Sequence, residues 1–536
     1  MNVKYKFLSL FLASAAFVGC QDMDLLPEGE FVTDKQKEDV ATQNPERAQD
    51  KVNAIFAAFN QYMPNASALG AERHNDIGYP TLMLAMSSNG HDEISDNNGY
   101  NWTGYDLTFE DRQFSMNECI MVWNNLYSIV FAANKVVAAI DEKTEDSEEQ
   151  FFLAQGHGAR GFAYWVLAQL YQFTYVDSKE LPCVPVITDL NAEDAVTNGC
   201  PRSKVKDVYV QIEKDLNKAI DLLTKSKYKR ADKRYISLST AYGLRARMYQ
   251  TMADWPKALA DANKAIEIGQ NDEKLSILSI TKAGKPGFNS SKESNWMWGI
   301  LVKEKDGVVT SGICNWPSHF GSLSYGYANF SGGFQISKKL YKEIKSEDVR
   351  KGWWLDSEGK SVEGYLDEAQ IAFVEENQYK PLTQVKFAPY NGVTGTSINA
   401  SDIPLMRFEE MYLIKAEAEA NGAGGEAKKT LEGFIKNYRN ESYTCPTGDE
   451  NIKNEIYLQR RIEFWGEGLA WFDIMRLKTG VDRTGCGYPN ASSVFKIEPT
   501  DNILLWRIPE VEIQANKALT PDDSPAVTLP KPVADI

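Results

Sequence analysis

The apolar pattern between Tyr249 and Ile268 constrains the fold of this chain more than any other sequence feature. The segment reads "YQTMADWPKALADANKAIEI", and its apolar residues recur at the i, i+3, i+4 spacing of an amphipathic helix. Small alanines at 258, 262 and 265 are interleaved with bulky residues. Small residues let two helices approach closely, whereas bulky ones fill the gaps between helix pairs. The sequence therefore predicts paired, closely packed helices.

Two segments share this pattern, which is the spacing of a tetratricopeptide repeat. The second segment, "DVYVQIEKDLNKAIDLL", repeats the latter half, with Tyr209, Ile212, Leu216, Ala219 and Ile220 in equivalent places. An unrelated helical bundle, in which the alanines are merely good helix formers, is the alternative. Further helices are predicted at 118–141, 150–173, 237–251, 405–421, 426–438 and 452–477.

Two long regions break the helical pattern. Residues 60–117 and 270–400 are rich in Gly, Ser, Asn and aromatic residues, as in "NWPSHFGSLSYGYANFSGGF". Their aromatic content argues against disorder, and long ordered loops are usually functional. We therefore predict a mainly α fold, with a helix-pair scaffold at 118–270 and 405–480 and a large irregular, loop-rich insertion with short strands. The segment "NWMWGIL" alternates like a strand, so Trp296 and Trp298 are predicted in the core.

The N-terminus carries an export signal. Lys4 and Lys6 precede an apolar run that ends at Cys20 and is shorter than the ~20 residues of a membrane-spanning helix. "FVGC" resembles a bacterial lipobox, in which the cysteine is acylated; a plain signal peptide with an incidental cysteine is the alternative. We predict a signal peptide at 1–19, an acylated Cys20 with a flexible tether at 20–45, and a single domain at 46–536. Acylation predicts a membrane anchor. Asp22 and Asp24, just after Cys20, resemble the surface-export signal of Gram-negative lipoproteins, so we expect a lipid-anchored outer-membrane protein that is exposed at the cell surface.

Charge and cysteine content exclude several function classes. The net charge of -16 repels phosphate backbones, so nucleic acid is not an expected partner. No C-x-x-C occurs, and the four histidines are scattered, so neither a metal nor another cofactor is predicted. Besides Cys20, an even number of cysteines permits disulfides whose pairing stays open: Cys119, Cys183, Cys200, Cys314, Cys445 and Cys486.

Two apparent catalytic motifs lack the context that catalysis needs. "GHGARG", at 156–161, lies within a helical pattern and not between a strand and a helix, so its glycines are predicted to allow close helix packing.

Glu463 and Glu467 lie four residues apart, a spacing that could place two carboxylates side by side as in a glycosidase. Arg460, Arg461 and Arg476 lie nearby in sequence, and ion-paired carboxylates make poor general acids. A structural salt-bridge network is the better interpretation, and no catalytic residue is predicted.

Seven segments in order resemble those of a SusD/RagB-type outer-membrane lipoprotein. They are the lipobox, "ARGFAYWVLAQLYQFTY", "PRSKVKDVYVQIEKDLNKAIDLL", "ADWPKALADANKAI", "IPLMRFEEMYLIKAEAEA", "IYLQRRIEFWGEGLAWFDIMR" and "LLWRIPEVEIQAN". Ala470 departs from the family, where a basic residue is common. The resemblance implies four tetratricopeptide-like helix pairs, an irregular glycan-binding face, and docking on a SusC-like TonB-dependent transporter.

The resemblance points to the two loop regions as the ligand site. Sugars are recognised by flat aromatic faces together with polar side chains that form bidentate hydrogen bonds. The first loop supplies His91, Asp92, Tyr100, Asn101, Trp102 and Tyr105, and the second supplies Trp316, His319, Phe320, Tyr325 and Tyr327. Trp102 and Trp316 are the preferred platforms, because each follows an Asn in a polar context. Packing within the loop is the alternative for each aromatic.

Three function classes follow. The first is a non-catalytic surface lipoprotein that captures oligosaccharides and delivers them to a SusC-like transporter. The second is an adaptor lipoprotein that binds a protein or peptide through its helical repeats. The third is a glycoside hydrolase, which the arginine-rich setting of Glu463 and Glu467 disfavours. Which glycan is bound is not encoded in any recognisable motif.

Overall fold

Helices dominate the computed structural model of this protein. It describes residues 45–62, 73–95, 103–311, 315–320, 323–327 and 333–535. Ala48–Ile536 forms one compact unit. The other unit, Met1–Arg47, contributes only its last three residues to the described part, so the predicted signal peptide, Cys20 and most of the predicted tether lie outside it.

The described helices are numbered here in chain order. They are α1 (Pro45–Ala58), α2 (Tyr79–Asn89), α3 (Gly104–Thr108), α4 (Asn117–Ala139), α5 (Ser147–Tyr171), α6 (Tyr175–Ser178), α7 (Ala192–Asn198), α8 (Val205–Lys225), α9 (Leu238–Thr251), α10 (Trp255–Asn271), α11 (Ile280–Ala283), α12 (Gly307–Thr310), α13 (Trp316–Phe320), α14 (Lys338–Glu343), α15 (Glu368–Glu376), α16 (Phe408–Ala420), α17 (Ala427–Tyr438), α18 (Asp449–Glu463), α19 (Ala470–Leu477) and α20 (Glu510–Ala515).

Short strands form three antiparallel pairs within the described residues. They are β1 (Glu93–Ile94) with β3 (Gln335–Ile336), β2 (Trp296–Ile300) with β4 (Ile403–Arg407), and β5 (Val481–Asp482) with β6 (Lys496–Ile497). Strand β2 lies entirely in the core, with Trp296 and Trp298 fully buried as predicted. Strand β4 runs directly into α16, so the β2–β4 pair joins the loop-rich insertion to the helical scaffold.

The long helices stack in a continuous series. Helix α4 packs on α5, α5 on α8, α8 on α9, α9 on α10, α10 on α16, and α16 on both α17 and α18. Side chains cap the first turn of several helices. At the beginning of α5, for example, the Asp146 carboxylate accepts hydrogen bonds from the backbone N–H groups of Glu148 and Glu149. The mainly α prediction is confirmed. Assignment of the helix pairs as tetratricopeptide repeats stays a prediction, with which this stacking is consistent.

The glycines of "GHGARG" lie where α5 meets its neighbours. A Cβ at Gly156 would lie 3.1 Å from Val137 of α4, one at Gly158 only 2.7 Å from Ile236, and one at Gly161 3.1 Å from Leu216 of α8. The motif is therefore a packing device inside a helix, as the sequence predicts.

One predicted helix is two helices. Residues 452–477 were expected to form a single helix, but α18 ends at Glu463 and α19 begins at Ala470. Gly466 and Gly468 in the intervening turn have φ values of 79° and 69°, a left-handed conformation that glycine adopts without strain. The turn places Glu467 outside a regular helix, so its relation to Glu463 is set by tertiary contacts.

No helix in the described ranges is long and apolar enough to cross a membrane. Five cysteines fall within those ranges, and all five are free thiols: Cys119, Cys183, Cys200, Cys445 and Cys486. Cys314 lies outside the described residues.

Candidate functional site

A buried ionic network lies beneath the loop regions. The Glu463 carboxylate accepts two hydrogen bonds from Arg439 at 2.8 Å, one from Arg407 at 2.9 Å and one from Arg350 at 3.3 Å. Burial opposes ionisation, but these guanidinium groups hold the pKa of Glu463 well below its usual range. Glu463 therefore stays a carboxylate and has no proton to donate.

Glu467 belongs to the same network. Its carboxylate accepts hydrogen bonds from the Lys386 ammonium at 2.6 Å and from Arg407 at 2.8 and 2.9 Å. Burial lowers the pKa of Lys386 to about 8. The salt-bridge interpretation of Glu463 and Glu467 is confirmed.

The partners in that network are not the arginines closest in sequence. Arg460 donates to Asp473, Arg461 to Asp92, and Arg476 to both Glu417 and Asp473. Nearness in sequence therefore did not identify the partners of Glu463 and Glu467, because α18 and α19 direct these three arginines to other carboxylates.

His91 and Asp92, from the first loop region, lie against this network. The Asp92 carboxylate accepts a 2.8 Å hydrogen bond from Arg461, and its backbone carbonyl accepts one of 2.9 Å from the Trp465 indole. Burial opposes the effect, but Arg461 lowers the pKa of Asp92. Burial also lowers the pKa of His91 to about 4, so its imidazole is neutral near pH 7. In the structure, the Asp92 carboxylate is thus engaged internally.

Trp316 and Phe320, from the second loop region, lie in the aromatic core. Their rings stack with centroids 4.8 Å apart, and Phe387 meets the Trp316 ring edge-on at 4.8 Å. Only 2 % of Trp316 is exposed, because Phe320 and Phe387 cover it. Phe320 in turn stacks on Phe334 at 4.7 Å. Neither Trp316 nor Phe320 has an open face in the structure, so a ligand role for these two residues stays a prediction.

Phe320 and Trp465 connect the two loop regions. The two rings lie 5.4 Å apart, and Trp465 also donates to Asp92. The structure therefore brings the second-loop core residues and Asp92 into one cluster. Of the remaining first-loop residues, Tyr105 lies on α3 and is 45 % exposed. Tyr100, Asn101 and Trp102 lie outside the described residues.

A second junction between the two regions is polar and lies nearer the surface. Here His319 donates from Nε2 to the backbone carbonyl of His74 at 2.7 Å, and the Tyr327 hydroxyl hydrogen-bonds with Nδ1 of His74. The His319 and Tyr327 rings lie 4.7 Å apart. Burial lowers the pKa of His319 to about 4, so this imidazole is neutral near pH 7. We call His74, His319 and Tyr327, together with Tyr325 two residues before Tyr327 in the chain, the loop junction.

Tyr325 is the exposed aromatic of the loop junction. Its side chain is 45 % exposed, yet its backbone is held on both sides. The Tyr325 N–H donates to Thr396 at 2.9 Å, and the Asn399 amide donates to the Tyr325 carbonyl at 2.8 Å. A ring on a fixed backbone can offer a flat face to a ligand at low entropic cost.

Sequence reasoning missed His74 because it treated the four histidines as scattered. His74 and His319 are separated by 245 residues and meet only in the fold. The available signal was that each lies in one of the two aromatic-rich regions. No group of three or more metal-ligating side chains occurs among the residues that the structure describes.

Comparison with known proteins gives the family. A family model described as "Starch-binding associating with outer membrane" matches residues 38–250, and the SusD family model matches residues 311–526. SusD-like protein P2 of Formosa agariphila is 24% identical over 427 residues, which are 75% of this chain and 79% of that protein. A SusD-like protein of Bacteroides ovatus is 23% identical over 261 residues, which are 47% of this chain and 40% of that protein.

Solved structures agree in fold. A SusD-like carbohydrate binding protein from Bacteroides vulgatus superposes with a TM-score of 0.73 at 22% identity, covering 90% of this chain and 99% of that one. A SusD superfamily protein from Bacteroides thetaiotaomicron gives a TM-score of 0.67 at 19% identity, covering 89% and 99%. With two models of the family matching successive parts of the chain and the fold shared over most of its length, the protein belongs to the SusD/RagB family of outer-membrane-associated proteins.

Proposed function

We propose that this protein is a cell-surface lipoprotein that captures oligosaccharides without cleaving them and delivers them to a SusC-like TonB-dependent transporter. Membership of a family whose model is described as starch-binding and outer-membrane-associated supports the carbohydrate class and the location. The lipobox at Cys20 supplies the anchor.

The exposed Tyr325 ring at the loop junction carries the proposal. A sugar ring has an apolar face that stacks on an aromatic ring and a rim of hydroxyls that needs polar partners. Tyr325 offers such a face, and two residues further along the chain Tyr327 belongs to the polar contacts of His74 and His319. Tyr105, which is equally exposed at 45 %, is the first-loop candidate for a second stacking residue. Trp102, Tyr100 and Asn101 stay proposed contacts on sequence grounds.

The state of the paired carboxylates supports binding over hydrolysis. A glycoside hydrolase needs one carboxyl group that keeps its proton near neutral pH and a second that is ionised. Glu463 is held ionised by three arginines, and Glu467 is bound by Lys386 and Arg407. Both carboxylates are buried, and their hydrogen bonds to Arg407 join the end of α18 and the turn after it to β4.

A glycan microarray tests this function. The purified protein is applied to an array of plant, algal, microbial and host oligosaccharides, alongside Tyr325→Ala and Phe131→Ala. Phe131 is an exposed aromatic on α4, 59 % accessible and outside the loop junction, so it is the matched control. We expect wild type and Phe131→Ala to bind the same class of glycan equally well, and Tyr325→Ala to bind it more weakly. Failure of the folded wild type to bind any glycan would contradict the proposal.

A further inference from the structure

A groove on the helical scaffold has the features of a second ligand site. It lies between α1, α4, α7 and α20 and encloses about 810 Å³. Ligand sites typically measure ~300–1,000 Å³ and are mostly apolar with a few polar groups at defined positions. None of the residues that line the groove belongs to the loop junction.

The floor of the groove is an aromatic strip on α4. Trp123, Tyr127 and Phe131 follow one another at four-residue intervals, so they lie on one face of the helix. The Trp123 and Tyr127 rings are 4.5 Å apart. Phe131 is 59 % exposed, and Val196 on the opposite wall is 88 % exposed. Side chains this apolar and this exposed favour an occupant that removes them from water.

Lys135 continues the strip by one further turn of α4 and places an ammonium in the lining of the groove. This ammonium lies 4.6 Å from the centre of the Phe131 ring. Among the residues that the structure describes, no carboxylate forms a salt bridge with Lys135. An ammonium beside an open aromatic ring favours an anionic partner.

The charged side chains that line the groove carry a net positive charge. They are two lysines, Lys51 and Lys135, and one carboxylate, Glu512. Glu512 accepts a 3.0 Å hydrogen bond from the Asn516 amide, so its carboxylate is engaged within the chain. This balance of charge favours an anionic occupant over a cationic one.

We propose that this groove binds a small amphipathic anion, with its apolar body on the Tyr127–Phe131 strip and its carboxylate or sulfonate at Lys135. The site is independent of the proposed glycan function, since it uses none of the loop-junction residues. The apolar walls that Ala54, Ala58, Ala195 and Val196 provide suit an alkyl or aryl body better than a sugar, which would leave its hydroxyls without partners.

Fluorescence titration of the purified full protein with anilinonaphthalene sulfonate (ANS) tests the site, because ANS combines an aromatic body with one sulfonate. We expect saturable binding at one site. Phe131→Ala and Lys135→Gln should each weaken it by about fivefold or more, since each removes a contact of ~1 kcal/mol. Val393→Ala and Lys143→Gln are the matched controls: both residues are exposed and outside the groove, and their substitution should change nothing.

Further measurements distinguish the contribution of the anionic group from that of the apolar body, and weakened binding from misfolding. Octanoate should displace ANS more strongly than octanol does. Val196→Glu should weaken the binding of ANS, because it places a negative charge in the lining of the groove. Thermal melts of all variants should match wild type, since the altered side chains are exposed. Three results would each overturn the proposal. They are ANS binding that does not saturate, ANS affinity unchanged in both Phe131→Ala and Lys135→Gln, and displacement of ANS by octanol as strong as that by octanoate. None of these results bears on glycan binding.

Discussion

At the scale of single residues, burial divides the aromatic side chains of the loop regions into two groups. Trp316 and Phe320 are covered by Phe387 and Phe334, whereas Tyr105 and Tyr325 face water. The local sequence could not make this distinction, because both groups lie among Gly, Ser and Asn. The covering rings come from positions far along the chain or from the other side of a loop, so the division arises only in the fold.

Trp316→Ala should destabilise the protein. Removing a buried tryptophan leaves a cavity and costs ~3–5 kcal/mol, so the thermal midpoint should fall well below that of wild type. Tyr325→Ala removes an exposed ring, so its thermal midpoint should equal that of wild type. Differential scanning calorimetry of the three proteins measures both effects. A Trp316→Ala variant that melts with wild type would place its indole outside the core.

Glu463→Gln should also destabilise the protein, since it leaves three buried arginines short of a counter-charge. Breaking a buried ion pair costs ~3–5 kcal/mol. Because the folded pKa of Glu463 is depressed, its contribution is present above the unfolded pKa of ~4.3 and is lost as pH falls below it. Denaturant unfolding at pH 7 measures the cost, with the exposed Glu358→Gln as control. Loss of glycan binding at unchanged stability would instead assign Glu463 to the ligand site.

Glu93 should give the opposite pH dependence. It is buried, it accepts the Gly466 N–H at 3.1 Å, and burial raises its pKa from 4.5 to about 7. The folded state therefore keeps a proton that the unfolded state releases, and stability falls as pH rises from 4.5 to 7. Relative to wild type, Glu93→Gln should gain up to ~3 kcal/mol across this window. Unfolding curves at pH 4.5 and 7.5 measure the gain, and an equal difference at both pH values would contradict the assignment.

At the scale of the elements, apolar periodicity was sufficient to locate the long helices. Helices α4, α5, α9, α16 and α17 begin and end within a few residues of their predicted bounds. The prediction of a single helix at 452–477 was wrong, because apolar periodicity carries no information on the left-handed backbone conformation that Gly466 and Gly468 adopt. The partners of Glu463 were equally inaccessible, since Arg350, Arg407 and Arg439 are brought to it by other elements.

Gly161→Leu should disrupt the packing of α5 on α8. Even a Cβ at this position would lie 3.1 Å from Leu216, so a full leucine overpacks the interface at a cost of ~1–3 kcal/mol or more. Gly433 on α17 is the matched control, because nothing lies within 4 Å of a Cβ placed there. Gly433→Leu should hold or raise stability by up to ~1 kcal/mol through helix propensity. Equal chemical-denaturation midpoints for the two variants would rule out close packing at Gly161.

At the scale of the whole molecule, the order of motifs predicted the family and the fold class, and the comparisons confirm both. The ligand face was predictable only as two regions. Those regions do meet at the loop junction, and Trp465 bridges them through Phe320 and Asp92, but His74 joins the junction from a stretch with no recognisable motif. Side-chain geometry in irregular loops depends on tertiary contacts such as those of Thr396 and Asn399 with Tyr325.

Cys20→Ser should release the protein from membranes. The acyl chains of a lipid anchor contribute ~0.8 kcal/mol per buried CH₂, and serine has no thiol to form the thioether that carries the lipid. Cys200→Ser is the control, since Cys200 is a free thiol in the folded domain and its loss should leave membrane fractionation unchanged. Cell fractionation in a strain without the transporter measures the effect. Cys20→Ser protein that still sediments with outer membrane in that strain would rule out the lipobox.

Capture of an oligosaccharide at the loop junction is the central claim, and calorimetric titration of the microarray-positive oligosaccharide tests it most directly. Wild type should bind in a single saturable phase, with no reducing sugar released. Tyr325→Ala should bind about fivefold to 150-fold more weakly, the equivalent of ~1–3 kcal/mol of lost stacking, while its thermal melt matches wild type. Equal affinity of Tyr325→Ala and wild type would contradict the claim.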